Sequence, residues 1–263
     1  MTNRLARWTL VAALFAGAVT AGGCGKSSSP TRPASPLDQD GADDLAIQTT
    51  GAGGVTSLDM TFGRLSMLGS PQLRPGAGPS AATYDTTFTL LGVTISASAH
   101  FYDSQNRLLD HYGPTAVRLE WESRIVGDRE WPRDTASIGH HGTLSFQGIG
   151  LLDTTITLNG TALDTLSNHF RSYDGTRTRL FYWNSSLATS NVVVRRAASW
   201  PLSGTLTFTV HADRLRSNNR TDVEAHLEGT VVVTFNGTSE PTVVVNGTWH
   251  YRWNMFTNEI VRA

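Results

Sequence analysis

Three histidines offer the sharpest prospect of chemistry in this chain. His211, His226 and His250 fall in three successive stretches that alternate apolar and polar residues, each on the polar phase. Zinc accepts three neutral imidazoles and keeps a fourth position open for water. Glu224 or Glu228 stands where it can orient such ligands. With zinc as cofactor, that site would make a metal-dependent hydrolase. Against it, histidine suits the solvent face of a sheet, and a straight row across strands is not tetrahedral; the solvated polar face is the favoured reading. Glu120 and Glu122 are a second prospect, since paired carboxylates can work as acid and base. They alternate with Arg118 and Arg124, which favours a charge-balanced surface. His140-His141 lies between Gly139 and Gly142 and reads as a loop or turn rather than a metal site. Phe181, Trp183, Trp249, Tyr251 and Trp253 sit at strand spacing, where aromatics more often build core than line a cavity or stack on a sugar. The chain lacks a Gly-x-Ser-x-Gly elbow, a His-Glu-x-x-His pair, a phosphate-cradling glycine loop and a Cys-x-x-Cys pair. No catalytic residue is therefore assigned.

The histidines can meet only if their strands hold a particular register. Leu206, Phe208, Val210 and Ala212 alternate with threonines and His211, and the same period of two runs through Val223–Phe235 and Thr242–Trp253. That period, with β-branched and aromatic residues, marks half-buried antiparallel strands. With Asn218-Asn219 as a two-residue turn, Val210 opposes Leu227, Ala212 opposes Ala225 and His211 opposes His226. A loop from Asn236 to Glu240 keeps Val231, Val233 and Phe235 on the face of Val243, Val245 and Trp249, and sets His226 opposite His250. Keeping one face apolar is what pins register. Asn246-Gly247 falls inside the last strand and marks a bulge or an earlier turn.

Further strands are expected at Val55–Phe62, Thr83–Leu91, Val93–Phe101 after a bend at Gly92, Thr115–Val126, Thr143–Leu158 with a break near Gly148–Gly150, Thr161–Phe170, Arg177–Trp183 and Val192–Ala197. Asn159-Gly160 carries the strongest short hairpin signal. The fold class is all-β: an antiparallel meander of about ten strands, closed as a lipocalin-like barrel or curled as a half-barrel, with an immunoglobulin-like β-sandwich as the alternative. Trp249, Tyr251 and Trp253 also permit the aromatic girdle of a transmembrane barrel, which ranks third.

The first residues have a different character. Arg4 and Arg7 precede an uncharged run from Trp8 to Ala21, as in a secretory signal. Ala21-Gly22-Gly23-Cys24 resembles the lipobox of bacterial lipoproteins, with Ala21 where that family usually has Leu. The resemblance covers the first 24 residues only and implies cleavage before Cys24, its lipidation with palmitate-type acyl chains, and a membrane anchor. Gly25 in place of Asp implies the outer membrane. The expected organisation is a signal peptide at 1–23, a lipidated cysteine and flexible Ser/Pro/Gly/Asp tether at 24–54, and one all-β domain at 55–263. Cys24 is the single cysteine, so no internal disulfide forms. A net charge of −1 excludes a strongly basic nucleic-acid surface. Three function classes follow: a lipid-anchored envelope protein with a non-enzymatic binding or structural role toward a small hydrophobic ligand or an envelope protein, the metal-dependent hydrolase, and a surface adhesion module.

Overall fold

In the computed structural model, the described residues are 37–50 and 83–263, less short breaks at 91, 111, 132–133, 151, 173–177, 197–199 and 219–220. The signal peptide, Cys24, the strand expected at Val55–Phe62 and most of the tether lie outside them.

The strands are β1 (Thr83–Leu90), β2 (Val93–Tyr102), β3 (Arg118–Trp131), β4 (Asp134–Gln147), β5 (Thr155–Arg171), β6 (Thr178–Arg195), β7 (Pro201–Asn218), β8 (Thr221–Thr234), β9 (Thr242–Val245), β10 (Trp249–Asn254) and β11 (Glu259–Arg262). All eleven form one sheet in chain order, every neighbour antiparallel. The all-β meander is therefore observed. The closed barrel is not: among the described residues β1 and β11 are the two ends of the sheet and do not pair with each other, and no second sheet is stacked on it.

One face is apolar and the other polar. Leu206, Phe208, Val210 and Ala212 on β7 are at most 1% exposed, and they oppose Thr189, Leu187, Ser185 and Trp183 on β6. The intervening Thr205, Thr207, Thr209 and His211 lie on the other face. The Asn159-Gly160 hairpin is overruled. The two residues sit inside β5 at a bulge, where the register slips between Leu158 and Gly160. A Cβ on Gly160 would come within 2.1 Å of the Thr143 carbonyl oxygen, so the glycine serves close strand approach rather than a turn. Asn159 Oδ1 accepts the Asn191 amide at 2.8 Å. Asn191 in turn lies at a second slip on β6, beside Gly204 (φ 104°) on β7. Aligned bulges on three adjacent strands bend the sheet. The two strands expected at Arg177–Trp183 and Val192–Ala197 are one strand, β6: the polar run between them keeps alternating, with Ser185, Leu187 and Thr189 buried.

The tether is also corrected in part, because Gln39–Thr50 forms a helix, α1. Asp38 caps it through its carboxylate, which accepts the Gly41 amide at 2.8 Å, and Asp40 follows in the first turn where the helix dipole favours an anion. Ala42, Leu45, Ala46 and Thr49 form an i, i+3, i+4, i+7 stripe that is fully buried against the inner face of β8–β11.

Candidate functional site

β4 contains Gly139-His140-His141-Gly142 in mid-strand, which corrects the expected loop. Alternation sends the two histidines to opposite faces. His141 is outward, with its Nε2 3.0 Å from Glu122 Oε1. His140 points inward and is 3% exposed. Its direct neighbours across the ladders are Ile125 on β3 and Asp164 on β5. His140 Nδ1 lies 2.7 Å from Asp164 Oδ1, and Nε2 lies 3.0 Å from Ser123 Oγ. Gly142 makes the second contact possible. It stands opposite Ser123, and a Cβ there would fall 3.1 Å from His140 Nε2, so the imidazole lies in the space its missing side chain leaves.

The connectivity is that of a nucleophile, a base and an orienting carboxylate. A carboxylate at Nδ1 fixes the proton on that nitrogen, so Nε2 is left to accept from the serine hydroxyl. Across the next ladder Asp164 stands opposite Ser185 on β6, whose Oγ accepts the Trp183 indole N–H at 3.0 Å. All of these groups face the core: Ser123 is 2%, Asp164 3% and Ser185 1% exposed. A shallow groove of about 380 Å³ runs over β1–β3 and shares β3 with the relay. Its lining is Asp85, Thr87, Ser96, Ser98, Glu122 and Arg124, with Ala97 and Ser123 at its floor. Ser123 reaches that floor yet is only 2% exposed, and its hydroxyl is engaged inward by His140 Nε2 at 3.0 Å. Chemically, the relay is a buried polar network whose hydrogen bonds fix the mutual register of β3, β4 and β5.

The three-histidine row does not form. The β7–β8 register is displaced by two residues from the expected one, so His211 opposes Glu228 and His226 opposes Asp213. Because the shift is even, the apolar face survives while the pairings change. The second register holds over Val231–Thr234 against Thr242–Val245. Asn246 and Gly247, with φ of 49° and 68°, then reverse the chain, and His250 falls on β10 opposite Val244. His211 and His226 converge instead on Asp213, with Nε2–Oδ2 at 3.3 Å and Nδ1–Oδ1 at 2.5 Å, on the exposed face. Among the described residues, no group of three or more His, Cys, Asp or Glu is placed to hold a metal ion.

Glu120 and Glu122 each have a basic partner of their own, Arg118 and His141 respectively, and Arg118 also lies 4.1 Å over the Tyr102 ring. The charge-balanced surface is thus observed. Three of the five aromatics are core, Trp183, Tyr251 and Trp253 being 4%, 2% and 6% exposed, while Phe181, stacked on Trp183, and Trp249 are partly buried against it.

A second polar constellation sits at the rim of α1. Asp43 accepts from the Tyr251 hydroxyl at 2.7 Å and from Arg262 Nε at 3.1 Å, while its other oxygen pairs with Arg262 Nη2. The Arg262 hydrogen bond holds the Asp43 carboxyl below the usual carboxylate range, against the opposing effect of burial. Burial first, then the bond to Asp43, pushes the Tyr251 phenol up to about 12.

The sequence reading missed Ser123, Asp164 and the α1 cluster. A signal for the first two exists: each is the one polar residue in an otherwise inward apolar phase, as in Leu119-Trp121-Ser123-Ile125 and Ala162-Asp164-Leu166. No protein-family model, curated protein or solved structure matches this chain.

Proposed function

We propose that this chain is a lipid-anchored protein of the bacterial cell envelope, held at the outer membrane through Cys24, with a non-enzymatic binding or structural role. Its partners on this reading are the membrane and a small hydrophobic ligand or another envelope protein, not nucleic acid. The observation that carries the non-enzymatic part is the burial of the Ser123–His140–Asp164 relay, because a nucleophile must meet its substrate. Burial of the inner face on β3–β7, beyond the reach of α1, supports a sheet curled as a half-barrel. The polar outward residues of β5–β7, among them Thr157, Thr161, Asn184, Ser186 and Thr207, support a face bathed by water rather than lipid.

The anchor rests on the residues up to Cys24. Growth with labelled palmitate should mark the wild-type chain, and Cys24→Ser should remove both the label and the membrane association. An unlabelled wild type that fractionates with membranes as Cys24→Ser does would refute it.

A second reading, a serine hydrolase, is favoured by the bonding order of the relay alone. Reaction with an alkyl fluorophosphonate separates the two, because only an accessible, activated serine forms the adduct.

A further inference from the structure

The cluster that fastens α1 has the donors and the geometry of a carboxylate-binding site, filled from within the chain. Arg262 presents two N–H groups to the two oxygens of Asp43, and the Tyr251 hydroxyl adds a third donor. A planar guanidinium engaging both oxygens is the arrangement that recognises a carboxylate as such. Next to this clamp the floor is apolar: Leu227, Val243, Val245 and Tyr251 are all 7% exposed or less. What fills the space above that floor is small. Along α1 the buried positions are Gly41, Ala42, Leu45, Ala46, Thr49 and Thr50, with Leu45 the single large apolar side chain. Leu45 sits against Gly229, where an added Cβ would lie 3.0 Å from its Cδ1, and Gly41 lies against Leu227.

A twelve-residue helix with glycine in its first turn and two threonines at its end is not stable alone in water; it forms because the sheet receives it. Thr49 and Thr50 spend their hydroxyls on the Leu45 and Ala46 carbonyls and make no bond to the sheet in doing so. The docked helix thus offers one carboxylate to the clamp and one apolar side chain to the floor.

We propose that the inner face of β8–β11 is a binding site for an aliphatic carboxylate, and that α1 closes it in the absence of ligand. The ligand's carboxylate replaces that of Asp43 on Arg262 and Tyr251, and its alkyl chain replaces Leu45 over the apolar floor. This names a ligand class for the binding role proposed above and rests on that role, but not on the lipid anchor. Because α1 competes for the site, the observed affinity is the intrinsic affinity reduced by the fraction of molecules with the helix withdrawn.

The test is a fluorescence titration with cis-parinaric acid, displaced by laurate, on the full chain carrying Cys24→Ser so that no acyl group of its own competes. Asp43→Asn removes the internal carboxylate and leaves the clamp; laurate should then bind about tenfold more tightly than to the parent chain. Ala46→Glu, which forces a charge into a fully buried position and lifts the helix off, should act in the same direction. Adding Arg262→Gln to Asp43→Asn should cancel the gain, and dodecanol, which lacks the carboxylate, should be indifferent to Arg262. Absence of saturable laurate binding in both Asp43→Asn and Ala46→Glu would overturn the proposal. So would equal binding with Arg262→Gln, or dodecanol binding as tightly as laurate. None of those failures touches the palmitate experiment, which judges the anchor separately.

Discussion

His140 and His141 provide a controlled comparison of burial, since adjacent residues on one strand make similar contacts to carboxylates on opposite faces. The perturbation is a double-mutant cycle on each pair, His140→Ala with Asp164→Ala and His141→Ala with Glu122→Ala. The buried pair has side chains 1% and 4% exposed at 2.7 Å; the outer pair is 53% and 57% exposed at 3.0 Å. Removing Asp164 alone leaves the His140 N–H without its acceptor in a site closed to water, which costs about 3 kcal/mol. Once His140 is gone, losing Asp164 costs less, because no donor is left stranded. The coupling energy of the inner pair is therefore about 2 kcal/mol, roughly a thirtyfold change in the unfolding constant. The outer pair, screened by solvent, should couple by about 0.5 kcal/mol or less. Urea unfolding followed by tryptophan fluorescence reads both cycles. An inner coupling as small as the outer one would mean that water reaches His140, and the argument from burial would fail.

Gly160→Ala should destabilise the chain by about 2–3 kcal/mol in the same assay, because the new methyl would meet the Thr143 carbonyl at 2.1 Å and Leu144 at 2.8 Å. A loss below about 0.5 kcal/mol would show that the β4–β5 approach is slack. The Tyr251 phenol is raised in the folded chain, so its contribution to stability is present below the unfolded value of about 10 and is lost as pH climbs toward 12. Absorbance at about 295 nm should register a late-titrating tyrosine that Tyr251→Phe removes, and Asp43→Asn should bring it down only partway, since burial is the larger cause. Asp43 has the opposite sign: its lowered pKa contributes stability above the usual carboxylate range, lost as pH falls through and below 3.8. Release of α1 should thus begin only in strong acid, monitored by dye binding to the uncovered face; release near pH 6 would contradict the Asp43–Arg262 geometry.

The period-two pattern located most of the sheet because one face is apolar almost throughout, but it missed β11 and the Asp134–Gly142 half of β4, and an error of two residues in register leaves it intact. For the same reason it could not place the histidines: His211 opposite His226 and His211 opposite Glu228 satisfy the apolar face equally. Pairing is decided instead by turn length at positions where several turns are chemically acceptable. Asn-Gly shows the limit of turn signals, since Asn246-Gly247 reverses the chain while Asn159-Gly160 lies inside a strand. The choice depends on whether a neighbouring strand needs the room a missing Cβ provides. The α1 helix escaped notice because its buried stripe is Ala, Ala and Thr around one Leu, set among aspartates and glycine. The relay escaped because Ser123, His140 and Asp164 come from three strands, and their contact depends on two correct registers and on the gap at Gly142.

The non-enzymatic reading is tested most directly by exposing the full-length folded chain to an alkyl fluorophosphonate and weighing the product by mass spectrometry. With Ser123 2% exposed and its hydroxyl engaged by His140, the expected result is no mass increase on treatment, in wild type and in Ser123→Ala alike. A stoichiometric adduct mapped to Ser123, lost in Ser123→Ala and in His140→Gln, would show that the relay meets substrate and would contradict the account.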